Sequence, residues 1–114
     1  MIPDWTKEFP GAITVCDAEG RILAMNDRSA ESFASDGGAG LVGANVLDCH
    51  PEPSRSKVEG LLKSGKTNVY TIEKGGRKKL IFQAPWFRDG VLSGLIELSL
   101  DIPWDMPHFN RDKP

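Results

Sequence analysis

The chain has 114 residues, 39% of them hydrophobic and 26% charged, with a formal net charge of −2. That length supports one domain with its own core and is too short for a separate catalytic domain. The charge balance makes nucleic acid no default partner, the apolar runs fall far short of a membrane span, and the N-terminus lacks the charged-then-apolar layout of a signal peptide. Cys16 and Cys49 make no disulfide framework, so a cytoplasmic setting with reduced thiols is expected.

Residues 1–10 place Trp5 and Phe9 four apart between Pro3 and Pro10, where a single helical turn puts both rings on one face. The segment reads as a short lid on the domain or as a dimer-forming piece. From Ala12 to Asn26 the pattern is strand, tight turn, strand, helix start. β-Branched residues favour extended backbone, Asp17 can bond amides beyond itself, and Gly20 suits the positive φ of a bulged hairpin. Asn26 supplies an N-cap oxygen. A short helix is predicted over Ser29 to Ser35, with Ala30, Phe33 and Ala34 on one face, before Asp36-Gly37-Gly38-Ala39-Gly40 breaks it.

The clearest helix spans Glu52 to Lys66. Pro53 is tolerated at its start and Ser54 can cap it, Val58, Leu61 and Leu62 share a face, and Gly65 can close it in the left-handed conformation. Three strands follow. Asn68 to Lys74 pairs with Arg77 to Phe87 across Gly75-Gly76, and Val91 to Ile102 returns after Arg88-Asp89-Gly90. Leu80, Phe82, Ala84 and Trp86 alternate with Lys79, Ile81, Gln83 and Pro85. Leu92, Gly94, Ile96, Leu98, Leu100 and Ile102 oppose Ser93, Glu97, Ser99 and Asp101. This is an antiparallel meander with one dry face, which needs a helical cover.

The order of two strands, short helices, a longer helix and three strands resembles that of PAS sensor domains over about residues Phe9 to Ile102. The opening hairpin, the Leu41-Val42-Gly43-Ala44-Asn45-Val46-Leu47 segment and Asp101-Ile102 at the last strand's end carry the likeness. In place of the family's Asp-Ile-Thr this chain has Pro103, which interrupts a run-on helix. The resemblance implies an α+β fold, a five-stranded antiparallel sheet with short helices across one face. Residues 1–10 are then the N-terminal lid or dimer segment, 11–102 the PAS domain, and 103–114 a Pro-rich tail. That tail carries Trp104, Met106 and Phe109, too apolar for an idle end, and is expected to fold back or to clasp a second subunit.

In PAS domains the region at Cys49-His50-Pro51 borders the pocket between helix and sheet, and the same tripeptide looks like that of a subgroup of bacterial members. His50 is a candidate haem ligand or a hydrogen-bonding partner of an organic ligand. The bland alternative is a histidine that satisfies loop backbone. Cys49, near a helix N-terminus, gains some thiolate character, but Cys16, Cys49 and His50 have no metal-site spacing. The surroundings of Cys49 do not look like a flavin-attaching motif. Lys74, Arg77, Lys78 and Lys79 read as a solvated hairpin tip, Glu97 and Asp101 as a solvent-facing strand edge, and His108 and Arg111 as structural.

No catalytic set appears, and the chain is not expected to be an enzyme. The leading expectation is a bacterial, cytoplasmic PAS module in signal transduction, binding a small ligand between helix and sheet and acting on an effector protein. Val58, Leu61, Leu62, Phe82, Trp86 and Ile96 would line that space, with Asn26 and His50 as polar contacts. The alternatives are a ligand-free homo- or heterodimerisation module using Trp5, Phe9 and the sheet face, with Trp104 and Phe109 also at the interface, and a haem-based gas or redox sensor through His50. No nucleic acid or membrane is expected as partner, and a homodimer is.

Overall fold

The computed structural model describes residues 3–112, apart from the side chain of Cys49. The reading of Cys49 as a redox thiol therefore lies outside the described residues, as do the last two residues of the tail.

A short helix α1 (Asp4–Lys7) leads into β1 (Ala12–Asp17) and β2 (Ile22–Met25). Asp17 Oδ1 accepts from the Glu19 and Arg21 amides at 3.0 and 2.8 Å, and Gly20 has φ 89°. The turn is held as its residue types predict. Helix α2 (Asp27–Ser32) starts directly after Asn26, which caps it as expected by accepting from the Ser29 amide, and ends before Ser35. Three 3-10 turns (Ala34–Asp36, Gly38–Leu41, Val46–Cys49) then carry the chain to α3 (Ser54–Ser64). Backbone bonds from this loop to Gly20 and Ile22 cover the open edge of β2. Helix α3 closes on Gly65 at φ 67°. Its first turn is bonded by the Glu52 carboxylate, which accepts from the Ser56 amide and hydroxyl, and not by Ser54. Those Ser56 bonds lower the Glu52 pKa.

Strands β3 (Asn68–Lys74), β4 (Arg77–Arg88) and β5 (Val91–Ile102) form the meander, with Gly75 and Gly76 both at positive φ in the tight turn. The sheet is antiparallel throughout, in the order β2-β1-β5-β4-β3. The last strand is thus its centre. Val58, Leu61 and Leu62 of α3 are buried against Cys16 and Leu95, with Val46 and Leu47 packed beside them. The predicted roof is real.

The face beneath it is not the predicted one. Side chains alternate along a strand, and directly opposed residues share a face. Leu95 and Cys16 are opposed and lie under α3, so Glu97, Gln83, Ile81 and Thr14 share that covered face. Phe82, Ala84, Trp86, Ile96, Leu98 and Leu100 therefore point away from the helices. The dry side of the meander is the outer side.

Two residues hold the strands in place. Trp86 lies across from Gly94, and its Nε1 donates to the Cys16 carbonyl at 2.9 Å, reaching over the central strand. Gly94 has φ 156°, and a Cβ there would collide with that carbonyl and with the indole nitrogen. Asn26 is 1% exposed. Its Oδ1 accepts from Ile13 N at 2.8 Å and from Ser29 N, while its Nδ2 donates to Thr6 O at 3.0 Å and Gly11 O at 2.8 Å. The Asn26 amide also donates to Ile13 O, so one residue adds a rung to the β1–β2 ladder and ties in both flanking helices.

Candidate functional site

Chemistry gathers on the helix-covered face. A polar row crosses it, with Asn68 opposite Gln83, Gln83 opposite Glu97, and Glu97 opposite Thr14. Asn68 Nδ2 donates to Gln83 Oε1 at 2.8 Å, and Gln83 Nε2 donates to Glu97 Oε2 at 2.7 Å. A carboxylate oxygen only accepts, which orients the Gln83 amide and so the whole relay. The Thr14 hydroxyl is bonded to that of Ser29, a side chain with no exposed surface. Among the described residues Glu97 makes no ion pair. Its charge still reaches outward. It adds to burial, the larger cause, in raising the pKa of Tyr70.

Two voids meet at this row. A cavity of about 40 Å³ is walled by Cys16, Ile22, Met25, Val46, Val58 and Leu95. A groove of about 510 Å³ runs on toward the β3–β4 hairpin, and Thr14, Phe33 and Glu97 border both. Lys74, Arg77 and Lys79 line the hairpin end of the groove, and Lys74 and Arg77 are exposed, as a solvated tip requires. Asp101 holds Lys79 at 3.0 Å and Arg77 at 2.8 Å. The Lys79 bond, with help from Arg77, keeps the Asp101 carboxyl below the usual carboxylate range. Burial pushes the Cys16 thiol up, the Leu95 backbone bond opposing it.

Of the residues expected to contact a ligand, Val58 and His50 line the cavity. Leu61 and Leu62 are spent on the core. Asn26 has both side-chain atoms bonded to backbone, so it has nothing left for a ligand. Phe82, Trp86 and Ile96 stand on the outer face, because the register puts the other alternation phase under the helices. Glu97 is not at a sheet edge, since it pairs with Thr14 on one side and Gln83 on the other, whereas Asp101, beyond the last pair with β1, is exposed as expected. His50 Nδ1 sits 2.7 Å from Val46 O. A carbonyl only accepts, so Nδ1 carries the hydrogen and the histidine satisfies loop backbone. The cavity that His50 lines, about 40 Å³, is well below the roughly 300–1,000 Å³ of pockets for drug-sized ligands. Of the residues expected at a dimer interface, Trp5, Trp104 and Phe109 are exposed, at 71%, 55% and 71%. Phe9 is half-buried and neighbours Leu100, which the same Gly11 Cβ position would meet.

No protein-family model matches the sequence, and no curated protein does. The fold does have solved counterparts. A C-terminal domain from Streptococcus mutans is similar at TM-score 0.69 and 23% identity, over 85% of this chain and 79% of that one. The PAS domain of histidine kinase ThkA is similar at TM-score 0.62 and 20% identity, over 80% of this chain and 98% of that one. The PAS domain of Bordetella pertussis BvgS is similar at TM-score 0.59 and 21% identity, over 87% and 82%. The fold is PAS-like.

Within that PAS-like fold, the polar row was missed by sequence reasoning. Gln83 and Glu97 stood in the polar halves of two alternating strands, and those halves were assigned to solvent. The signal was present in the pairing of those halves across one hairpin. Among the described residues no helix is long and apolar enough to cross a membrane. No group of three or more His, Cys, Asp or Glu side chains is gathered among them as a metal site.

Proposed function

We propose that the chain is a cytoplasmic sensory or regulatory module that takes a small ligand on the concave face and answers through a protein contact on the outer face. One observation carries this reading: a polar row crosses the covered face beside its core, while the apolar half of the β4–β5 alternation faces outward. A sheet roofed by helices normally keeps its covered face dry and its solvent face polar. Here Asn68, Gln83, Glu97 and Thr14 stand under the roof, while Leu80, Phe82, Ala84, Ile96, Leu98 and Leu100 face outward. Polar groups under a roof are costly unless something bonds them. A contiguous apolar face is the mark of a protein interface.

The partner this reading assigns to the outer face is a second copy of the chain. The outer face of β3–β5 carries an apolar stripe able to meet its own twofold image. Phe82 and Val69, 36% and 48% exposed, lie on it. Ligand occupancy then shifts the balance between sheet states of different dimer affinity, by no more than the ligand's preference for one of them. The module performs no chemical step of its own.

Sedimentation velocity tests the outer face. Wild-type protein is expected to sediment as a dimer at micromolar concentration, and Phe82→Glu as a monomer with an unchanged far-ultraviolet spectrum. A wild-type monomer at hundreds of micromolar overturns this assignment. The small volume of the cavity, about 40 Å³, favours a second reading, a ligand-free dimerisation module. Native mass spectrometry of protein taken from cells separates the two, since that reading requires no co-purifying small molecule.

A further inference from the structure

We propose that the groove beside Glu97 is a recognition site for a small organic cation, a primary ammonium or amidinium on a compact apolar body. The proposal rests on the ligand-binding reading above and names the chemistry of its ligand.

Glu97 occupies the middle of the covered face, on the central strand, where an apolar residue would pack at lower cost. Its Oε2 accepts from Gln83, and no donor among the described residues reaches Oε1. The nearest cations along the same face are not available to it. Lys79 and Arg77 are held by Asp101, four residues along β5 from Glu97. At strand rise that is roughly 13 Å away. Lys74 lies at the same far end of the groove, and Glu31 is the other acidic side chain on its wall.

The relay behind Glu97 shapes what it can accept. Gln83 is buried, with 6% of its surface exposed, and both of its amide atoms are used, one on Asn68 and one on Glu97. It cannot turn to donate elsewhere, so Glu97 is held in one orientation with an acceptor oxygen free. The Thr14 hydroxyl next to it is committed to Ser29. A ligand meeting this end of the groove therefore finds acceptors and negative charge, with the ring of Phe33 beside them. A donor-bearing cation satisfies the free oxygen, and a charge-assisted bond to a half-buried carboxylate is stronger than a neutral one. An anion or a pure acceptor meets repulsion there. The apolar body lies along the groove against Phe33, with only a short alkyl group or ring edge entering the 40 Å³ cavity.

Thermal shift and ¹⁵N-detected NMR on the full chain test this with benzylammonium, benzyl alcohol and benzoate, which share a body and differ in charge. Benzylammonium at ten times its dissociation constant is expected to raise Tm by roughly 6 °C and to move the side-chain NH₂ signals of Gln83 and Asn68. Glu97→Gln, which keeps the size and removes the charge, is expected to weaken binding at least tenfold, and Asp105→Asn, the same change on the exposed tail, to leave it unchanged. If Glu97→Gln folds poorly, the wild-type NH₂ shifts still decide the matter. Benzyl alcohol or benzoate binding as tightly as the amine at those side chains overturns the cation and leaves a ligand site of other chemistry. Silence of the Gln83 and Asn68 signals toward benzylammonium, methylammonium and 4-guanidinobutylammonium overturns the proposal outright. A dimer that persists in that case keeps the outer-face reading intact.

Discussion

Replacing Asn26 by alanine removes a side chain that is 1% exposed and makes bonds to Ile13 N, Ser29 N, Thr6 O and Gly11 O. A buried hydrogen bond contributes about 1 kcal/mol net, and an orphaned buried partner costs more. Thr6 O keeps a second donor in the Phe9 amide, which softens one loss. The Ser29 amide loses its cap, worth about 1 kcal/mol. The sum is about 4 kcal/mol, a large share of the 5–15 kcal/mol typical of a domain. Unfolding entropy scales with chain length, so Tm is expected to fall by about 15 °C and the urea midpoint by about 2 M.

Asn26→Asp sharpens the test. An aspartate keeps the two accepted bonds but aims a carboxylate at the Thr6 and Gly11 carbonyls. Burial and those carbonyls raise its folded-state pKa above the unfolded value of about 3.9. The folded state then holds the proton more tightly, so the variant is most stable below about pH 3.9 and loses stability as pH rises through the folded value. Circular dichroism melts at pH 4 and pH 7, each referenced to wild type, read the difference. A loss under 1 kcal/mol for Asn26→Ala, or an Asn26→Asp penalty that does not grow from pH 4 to pH 7, refutes the argument.

Gly94→Ala is expected to cost more than 3 kcal/mol, because the new methyl displaces both the Cys16 carbonyl and the Trp86 indole. Trp86→Phe, which removes the bond to Cys16 O together with part of the ring area, should cost at least about 1–2 kcal/mol in the same urea titration. Asp101→Asn is expected to cost under 1 kcal/mol in low salt and nothing measurable in molar salt, since its partner Arg77 is largely exposed. Because the folded pKa of Asp101 is depressed, that contribution is present above about pH 3.9 and disappears as pH falls through the folded value. Iodoacetamide at pH 8 should leave Cys16 unmodified in the folded protein and alkylate it in urea, as mapped by mass spectrometry, because burial raises its pKa and shields the sulfur.

Local signals made much of this fold legible. Gly20, Gly65 and the Gly75-Gly76 pair sit at positive φ where turn chemistry demands it, and the Val58, Leu61, Leu62 stripe is buried as its helical spacing requires. The N-cap role of Asn26 was readable from the residues beside it. Its bonds to Thr6 and Gly11 were not, because nothing in a linear pattern says which distant carbonyls will come within reach.

The alternation of β4 and β5 shows the same division. The sequence by itself determined that each strand has an apolar and a polar side, since side-chain direction repeats every second residue. It is silent on which side the helices will cover, because both phases satisfy the alternation equally. Tertiary structure decided that by docking α3 on Cys16 and Leu95, two residues from different strands whose pairing sets the phase of every neighbour. That one packing choice sent Phe82, Trp86 and Ile96 outward and brought Gln83 and Glu97 under the roof.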